Sequence, residues 1–375
     1  MHLLFLTLKT FSATGGIEKF NRCFSKALWE NGVEKGWDIR VLSAYDGLPD
    51  ERYLPAARFK GFGGSKWRFF LAAIAAMREA DLVFFGHINL APLMRLCQVF
   101  FPRTRTICMA HGREVWEPLS QQQGKALKNC SRVWSVSQFT ADILTGTKGV
   151  AAARVDLFYN TLDPAFSEKN LSSVSREHLL ERYQVAENEK VIITVARLSD
   201  TEAFKGYDLV LEALPGLLLQ FPNLRYLLCG KWQETEKKRI TKIINELKLH
   251  NVVKLTGFVP DFELISHYQL ADVFVLPSRK EGFGIVFLEA AWCGLRVIGG
   301  NQDGSVEALL DGRLGMLVNP TDPVQITAAI RQSLSSPLNQ EQKDQQQQLV
   351  EAHFGFTTFK NRQSALIAEV VGASH

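Results

Sequence analysis

Residues 278–294 read SRKEGFGIVFLEAAWCG and set two acids, Glu281 and Glu289, eight positions apart around a Gly-Phe-Gly turn. A buried carboxylate is costly unless something satisfies it. The stretch is therefore either a helix start with a solvated acid on each side or a pair of acids aimed at a ligand. If the helix opens just after the turn, eight steps of about 100° bring Glu289 to within about 80° of Glu281, so both can face one pocket. Ionised carboxylates only accept hydrogen bonds and suit hydroxyl groups, while the free N–H groups of the helix start between them favour an anion.

Three other places have suitable chemistry. In VARLSDTEAFKGYD (195–208), Arg197 ends an apolar run and Lys205 precedes the next helix. A planar fork and a point charge together suit a diphosphate, although two surface cations in a loop would look the same. In SATGGIEKFN (12–21), Gly15 and Gly16 open a helix and can bring backbone N–H groups against an anion, or simply form a tight turn. In CMAHGREVW (108–116), His111 follows an apolar run, where a neutral imidazole can bond a ligand hydroxyl or carbonyl. Phosphates in the middle and hydroxyls at both ends describe a nucleoside-diphosphate sugar.

Such residues need a scaffold that gathers them at one edge. Strand-like runs occur at 2–8, 38–44, 81–86, 105–112 and 131–137, with helical patterns at 17–31 and 67–79. The rhythm restarts with strands at 190–197, 224–230, 252–258, 272–278, 295–300 and 314–319 and helices near 206–220, 234–249 and 284–293. Continuous Val/Ile/Leu runs separated by helices mark parallel strands covered on both faces. Two doubly wound α/β units follow, and ligands of such sheets bind beyond the carboxyl ends of the strands. The rhythm breaks at 158–178, where Asn, Pro and Ser cluster, which marks the seam. The glutamine tract at 340–349 reads as a solvated helix face.

Composition narrows the classes. A chain of 375 residues exceeds the usual size of one core. Its six cysteines are scattered without zinc spacing or a disulfide pattern, which fits a reducing cytoplasm. The N-terminus has no basic leader and no cleavage site, and no run of about 18 apolar residues is present to span a bilayer. Residues 1–165 hold 21 Lys/Arg against 14 Asp/Glu, and the remainder 22 against 25. The basic front half is either an ordinary solvated face or attracted to an anionic surface or acceptor. No nucleic-acid partner is expected, and the dinucleotide fingerprint Gly-x-Gly-x-x-Gly is absent.

TGGIEK, AHGRE, the Arg197/Lys205 pair and above all EGFGIVFLEA make the chain resemble the family 4 retaining glycosyltransferases over essentially its whole length. The resemblance implies the GT-B fold, an α/β architecture of two Rossmann-like domains facing across a cleft. Residues 1–165 would form the acceptor domain and 166–355 the nucleotide-sugar domain, with a last helix near 356–371 crossing back to the first. It further implies that Glu281 binds hydroxyls of the donor sugar and Glu289 the ribose. Arg197 and Lys205 would hold the diphosphate, and Gly282, Phe283, Gly284 and Ile285 would give backbone contacts to sugar and phosphate. Gly15 and Gly16 would approach the diphosphate, and His111 would contact the sugar. The base would sit against Gly230, Lys231 and the backbone around Val259. The segment from Arg197 to Lys205 is longer than the family's commonest form, which leaves the path of that loop open. No Asp-x-Asp motif occurs, so a metal-independent reaction is expected, with charge met by Arg197, Lys205 and the helix start.

The expected activity is transfer of a hexosyl unit from a nucleotide-diphosphate sugar to a glycan or lipid-linked acceptor, in an α-linkage with retention. Competing readings of the same architecture are a sugar-nucleotide epimerase or phosphorylase and a nucleotide-sugar-binding protein without turnover. Segments 58–78 and 93–105 interleave cations with large apolar residues. They read either as core helices with snorkelling cations or as an interfacial surface for anionic lipid. The expected location is the cytoplasm, peripheral on the inner membrane in the second case.

Overall fold

The computed structural model describes residues 1–167 and 174–372. The chain divides into two compact units: Met1–Pro164 with Phe354–His375, and Ala165–His353. The break at 158–178 expected from sequence runs partly through residues 168–173, outside the described residues.

The first unit is built on a parallel sheet of β1 (His2–Thr7), β2 (Asp38–Ser43), β3 (Phe59–Gly61), β4 (Leu82–Phe85), β5 (Arg105–Ala110), β6 (Arg132–Ser135) and β7 (Val155–Leu157). Their spatial order is β3-β2-β1-β4-β5-β6-β7. The second unit holds β8 (Lys190–Val195), β9 (Leu224–Cys229), β10 (Val253–Gly257), β11 (Val273–Leu276), β12 (Arg296–Gly300) and β13 (Met316–Val318), ordered β10-β9-β8-β11-β12-β13. In each sheet the chain winds outward from its first strand, then returns to that strand's other side, a reversal that marks the ligand crevice of open α/β sheets. The strands β3 and β7 have three residues each, too short for any periodicity to show in the sequence.

Burial explains why the strands read as unbroken apolar runs. Leu3 to Leu6 of β1 and Leu82 to Phe85 of β4 are fully covered, as are Ile192 and Ile193 of β8 and Val273 to Leu276 of β11. Helices lie on both faces, so these stretches show no alternation toward water. In the first unit Phe5, Phe24, Phe84, Trp134 and Phe158 form one aromatic cluster, with centroid separations of 4.8 Å for Phe5–Phe24 and 5.0 Å for Trp134–Phe158. Offset and edge-on rings of this kind add to area burial.

The last helix, Phe356–Gly372, packs against the first, Gly16–Lys35. Asn31 Nδ2 donates to Lys360 O at 3.0 Å and Gln363 Oε1 at 3.1 Å, and Gln363 Nε2 donates to Phe24 O at 3.1 Å. The Phe359 ring packs at a tilt against Phe158, their centroids 4.5 Å apart. Within the second unit the glutamine tract lies in the helix Gln340–Phe354, and one member departs from the expected solvated face. Gln346 is buried and its amide donates to Ala291 O at 3.1 Å and Leu295 O at 2.9 Å, stitching this helix to the one that carries Glu289.

Candidate functional site

In the second unit the ladder between β8 and β11 runs through Val273↔Ile192 and Phe274↔Ile193. Beyond it both strands leave the sheet into loops, 196–206 and 277–284, at the point where strand order reverses. The first loop is fastened along its length. Leu198 N–H donates to Lys231 O and Gln233 N–H to Leu198 O, both at 2.9 Å, and the Ser199 hydroxyl donates to Gln233 Oε1 at 3.0 Å. Gly230, beside it, donates its N–H to Gly257 O at 2.9 Å, and Val259 lies half-buried two residues further on. Lys231 is exposed; the ammonium of Lys237 stands 4.6 Å from the Trp232 ring centroid.

The loop closes in a short 3₁₀ turn, Asp200–Lys205, capped by Gly206 at φ +78°. Only glycine fits there, because a side chain would need left-handed backbone and its Cβ would overlap the carbonyl oxygen of Pro277. Arg279 N–H donates to Phe204 O at 3.0 Å across the same seam. These contacts deliver Lys205 to Glu281, and Nζ pairs with Oε2 with each side chain 16% exposed. Arg197 pairs through Nη2 with Glu202 Oε1 at 2.7 Å; the guanidinium is 71% exposed and the carboxylate 9%. The loop between Arg197 and Lys205 thus carries an acid that pairs with the arginine.

The helix Ile285–Trp292 starts just after the turn, with Gly284 as its cap, so Glu281 lies in the loop before it and Glu289 in its second turn. Glu289 is buried and its Oε2 accepts the Tyr268 hydroxyl at 3.0 Å, while burial and that carboxylate hold the Tyr268 phenol well above its ordinary range. Gly282 is half-buried, Gly284 and Ile285 are buried, and the Phe283 ring enters the core.

Sequence reading missed Asp303. It lies in the loop after β12, is buried, and accepts Glu281 N–H on Oδ2 at 2.6 Å and Ser305 N–H on Oδ1 at 2.9 Å. The sequence signal was an Asp-Gly pair after a strand, which normally marks an ordinary turn.

Gly15, Gly16 and His111 belong to the first unit. The loop after β1 is organised by a second missed acid, Asp46, whose buried carboxylate accepts N–H bonds from Thr10 at 2.7 Å, Phe11 at 3.2 Å and Ser12 at 2.7 Å, and the Ser43 hydroxyl at 2.6 Å. That loop ends in Gly15, which caps the helix Gly16–Lys35 and has no side chain to offer the helix start, and Gly16 is exposed. His111 directly follows β5. Its Nε2 lies 3.0 Å from the Gly86 carbonyl, which can only accept, so Nε2 carries the proton and Nδ1 is an acceptor. Burial presses its pKa down to about 4. The Glu114 carboxylate accepts His111 N–H at 2.6 Å and is itself raised by burial.

Among the described residues no group of three or more His, Cys, Asp or Glu side chains is arranged to hold a metal ion, and no helix is long and apolar enough to cross a membrane.

Residues 175–352 match the model of the glycosyl transferases group 1, and residues 14–166 that of glycosyltransferase family 4. A GDP-mannose-dependent alpha-(1-6)-phosphatidylinositol monomannoside mannosyltransferase of Mycolicibacterium smegmatis is 30% identical over 244 residues, 62% of this chain and 62% of that protein. The aligned part thus spans under two thirds of that relative. A D-inositol 3-phosphate glycosyltransferase of Corynebacterium urealyticum is 34% identical over 151 residues, 39% of this chain and 35% of that one. Among solved structures, Anabaena Alr3699/HepE in complex with UDP and glucose superposes with a TM-score of 0.75 at 21% identity, covering 98% of this chain and all of that one. The chain belongs to glycosyltransferase family 4 and has the GT-B fold.

Proposed function

We propose that the protein transfers a hexosyl unit from a nucleoside-diphosphate sugar to a glycan or lipid-linked acceptor, in cell-surface polysaccharide or glycolipid synthesis. The observation that carries this reading is the pairing of Lys205 with Glu281 where β8 and β11 part, with Arg197 on the same loop. One carboxylate for sugar hydroxyls beside two cations for a diphosphate is what such a donor requires.

In the proposed reaction the bond from the anomeric carbon to the diphosphate oxygen breaks as the acceptor oxygen bonds that carbon from the same face. The configuration is retained, the product is α-linked, and the acceptor's proton passes to the departing diphosphate. Lys205, Arg197 and the helix start at Ile285 meet the charge that develops on the leaving group, without a metal ion. Preorganised cations aimed at developing charge are worth about 10²–10³ in rate each. Glu281 orients the sugar, and His111, held neutral, offers Nδ1 as an acceptor for a hydroxyl. Gly15, Gly16, Gly230, Lys231, Val259 and the backbone of Gly282–Ile285 remain the proposed donor contacts. A ribose contact by Glu289 requires its Tyr268 partner to share the carboxylate, which has a second oxygen to offer.

A phosphatidylinositol monomannoside and a D-inositol 3-phosphate are named for the two relatives; both are anionic, which supports an anionic acceptor here, and the first is lipid-linked. On the helix Lys66–Glu79 of the first unit, Trp67 is 69% and Leu71 51% exposed, with Lys66 and Arg68 beside them. That exposure favours the interfacial reading over a buried helix, and we place the protein on the cytoplasmic face of an anionic membrane.

Incubation with GDP-mannose, UDP-glucose and ADP-glucose, with and without a bacterial lipid extract, tests the proposal. Sugar moving to lipid only when the extract is present supports transfer. An isomerised sugar nucleotide from donor alone indicates an epimerase, and binding without turnover indicates a sensor; either result overturns the assignment.

A further inference from the structure

We propose that Asp303 is the positioning residue for donor-sugar recognition: its carboxylate, on the loop after β12, fixes the peptide unit that carries Glu281. The inference rests on the reading of Glu281 as the sugar-binding acid. The Glu281 peptide is gripped on both sides by the same short segment. Its N–H donates to Asp303 Oδ2 at 2.6 Å and its carbonyl accepts Gly304 N–H at 2.9 Å. The segment closes on itself through Ser305 N–H, which donates to Asp303 Oδ1 at 2.9 Å. At Gly304 a Cβ would overlap the Gly282 carbonyl oxygen, so the two loops touch backbone to backbone.

The arrangement fixes direction as well as place. Lys205 holds the Glu281 carboxylate from one side, and Asp303 holds the Glu281 backbone from the other. A sugar that takes its bonds from Glu281 displaces the contact with Lys205 but leaves the backbone anchor intact. The acid then keeps its aim when its ion-pair partner turns to phosphate. A positional error of about 1 Å in such a group costs about 10²-fold in rate.

Asp303 is an expensive anchor. Burial pushes its carboxyl up to about 7, opposed by the bonds it accepts from Ser305 and from the Glu281 N–H, and the charge of Glu281 adds to the rise. A fold needing only a turn would be better served by a neutral residue; perturbed acids of this kind gather at functional sites. The charged group that bears on it is Glu281, itself neutralised by Lys205.

The test uses Asp303→Asn, which keeps the shape but can accept only one of the two N–H bonds. Affinities are measured by calorimetry for GDP-mannose against GDP and for UDP-glucose against UDP, with the exposed neighbour Gln302→Ala as control. The expected result is a loss of about tenfold or more for the sugar nucleotide and less than about threefold for the bare diphosphate. Equal losses for both members of a pair, or none, overturn the inference.

A second arm uses wild-type protein without ligand. Amide exchange across residues 278–284, corrected for intrinsic rate, is expected to quicken as pH rises from about 4 to about 7, because a carboxyl raised by burial binds its proton more tightly in the closed turn than in the open one, and to lose that pH dependence in Asp303→Asn. Exchange independent of pH and of Asp303 also overturns the proposal. Wild-type protein that binds neither pair while showing the exchange profile sinks the donor reading instead and leaves Asp303 as the anchor of this turn. If Asp303→Asn fails to fold, the wild-type profile decides alone.

Discussion

Lys205 and Glu281, 76 residues apart in sequence, form an ion pair in which both side chains are largely covered. Each charge solves the other's burial, and under the proposed function each has a separate task on a bound donor. Breaking a covered pair from one side leaves an uncompensated charge, whereas removing both partners does not. Lys205→Ala and Glu281→Ala are each expected to lower transfer by about 10²-fold or more. The double variant is expected to melt at a higher temperature than Lys205→Ala alone, and a double-mutant cycle in thermal unfolding reads the coupling directly. Near-normal turnover in either single variant would refute the site.

Arg197 differs from Lys205 in being exposed, with its position set by the buried Glu202. Replacing it by lysine keeps the charge but loses the planar fork that reaches two oxygens at once. Arg197→Lys is expected to lose most of what Arg197→Ala loses, about tenfold or more in donor affinity. Glu202→Gln, which keeps a hydrogen-bond partner for the guanidinium, is expected to lie between wild type and Arg197→Ala. Titration with nucleoside diphosphate ranks the three, and an unaffected Arg197→Ala removes the arginine from the site.

Most of the second unit was legible because its strands are long, apolar and separated by helices of ordinary length, and the paired-acid motif is continuous in sequence. What could not be read is what crosses from one loop to another. Asp303 and Glu202 act on residues 22 and 5 positions away through contacts that only the fold creates. Asp46 pins the loop after β1 in the same hidden way. For Glu289 the spacing from Glu281 and the helix that carries it were plain in the sequence, but the Tyr268 hydroxyl that its carboxylate accepts, 21 positions away, was not. Short β3 and β7 escaped because three residues carry no period.

His111 has a pH signature. Burial lowers its folded pKa to about 4, below the ordinary histidine value of about 6.5. Between those two values the unfolded chain binds more protons than the folded one, so the contribution to stability is full above about pH 6.5 and is lost as pH falls toward about 4. Melting temperature should drop over that window, and His111→Gln should flatten the drop. Imidazole nitrogen shifts are expected to report one neutral tautomer, protonated at Nε2, throughout pH 6–9. A His111 that titrates near pH 6.5 would contradict the half-buried, carbonyl-bonded ring.

Gly206 tests whether the path of the loop matters. Its φ of +78° and its approach to the Pro277 carbonyl leave no room for a side chain. Gly206→Ala is expected to destabilise the protein by more than about 1 kcal/mol and to displace Lys205. Donor binding should fall further than global stability does, since Lys205, the proposed diphosphate contact, directly precedes Gly206.

The face of the helix Lys66–Glu79 offers a test independent of chemistry at the donor site. Trp67 stacks on Phe70 at 6.1 Å and stays largely exposed, as does Leu71 one turn along. Two large apolar side chains left in water next to Lys66 and Arg68 are better satisfied in a headgroup layer, where the rings meet acyl chain and the cations meet phosphate. Trp67→Ser with Leu71→Ser should therefore lower binding to vesicles containing anionic phosphatidylglycerol while sparing donor affinity. Sedimentation at low and high salt separates the two parts: the basic residues contribute the part that salt removes, and Trp67 and Leu71 the part that remains. Wild-type protein that stays in the supernatant at low salt would show that this face does not meet a membrane.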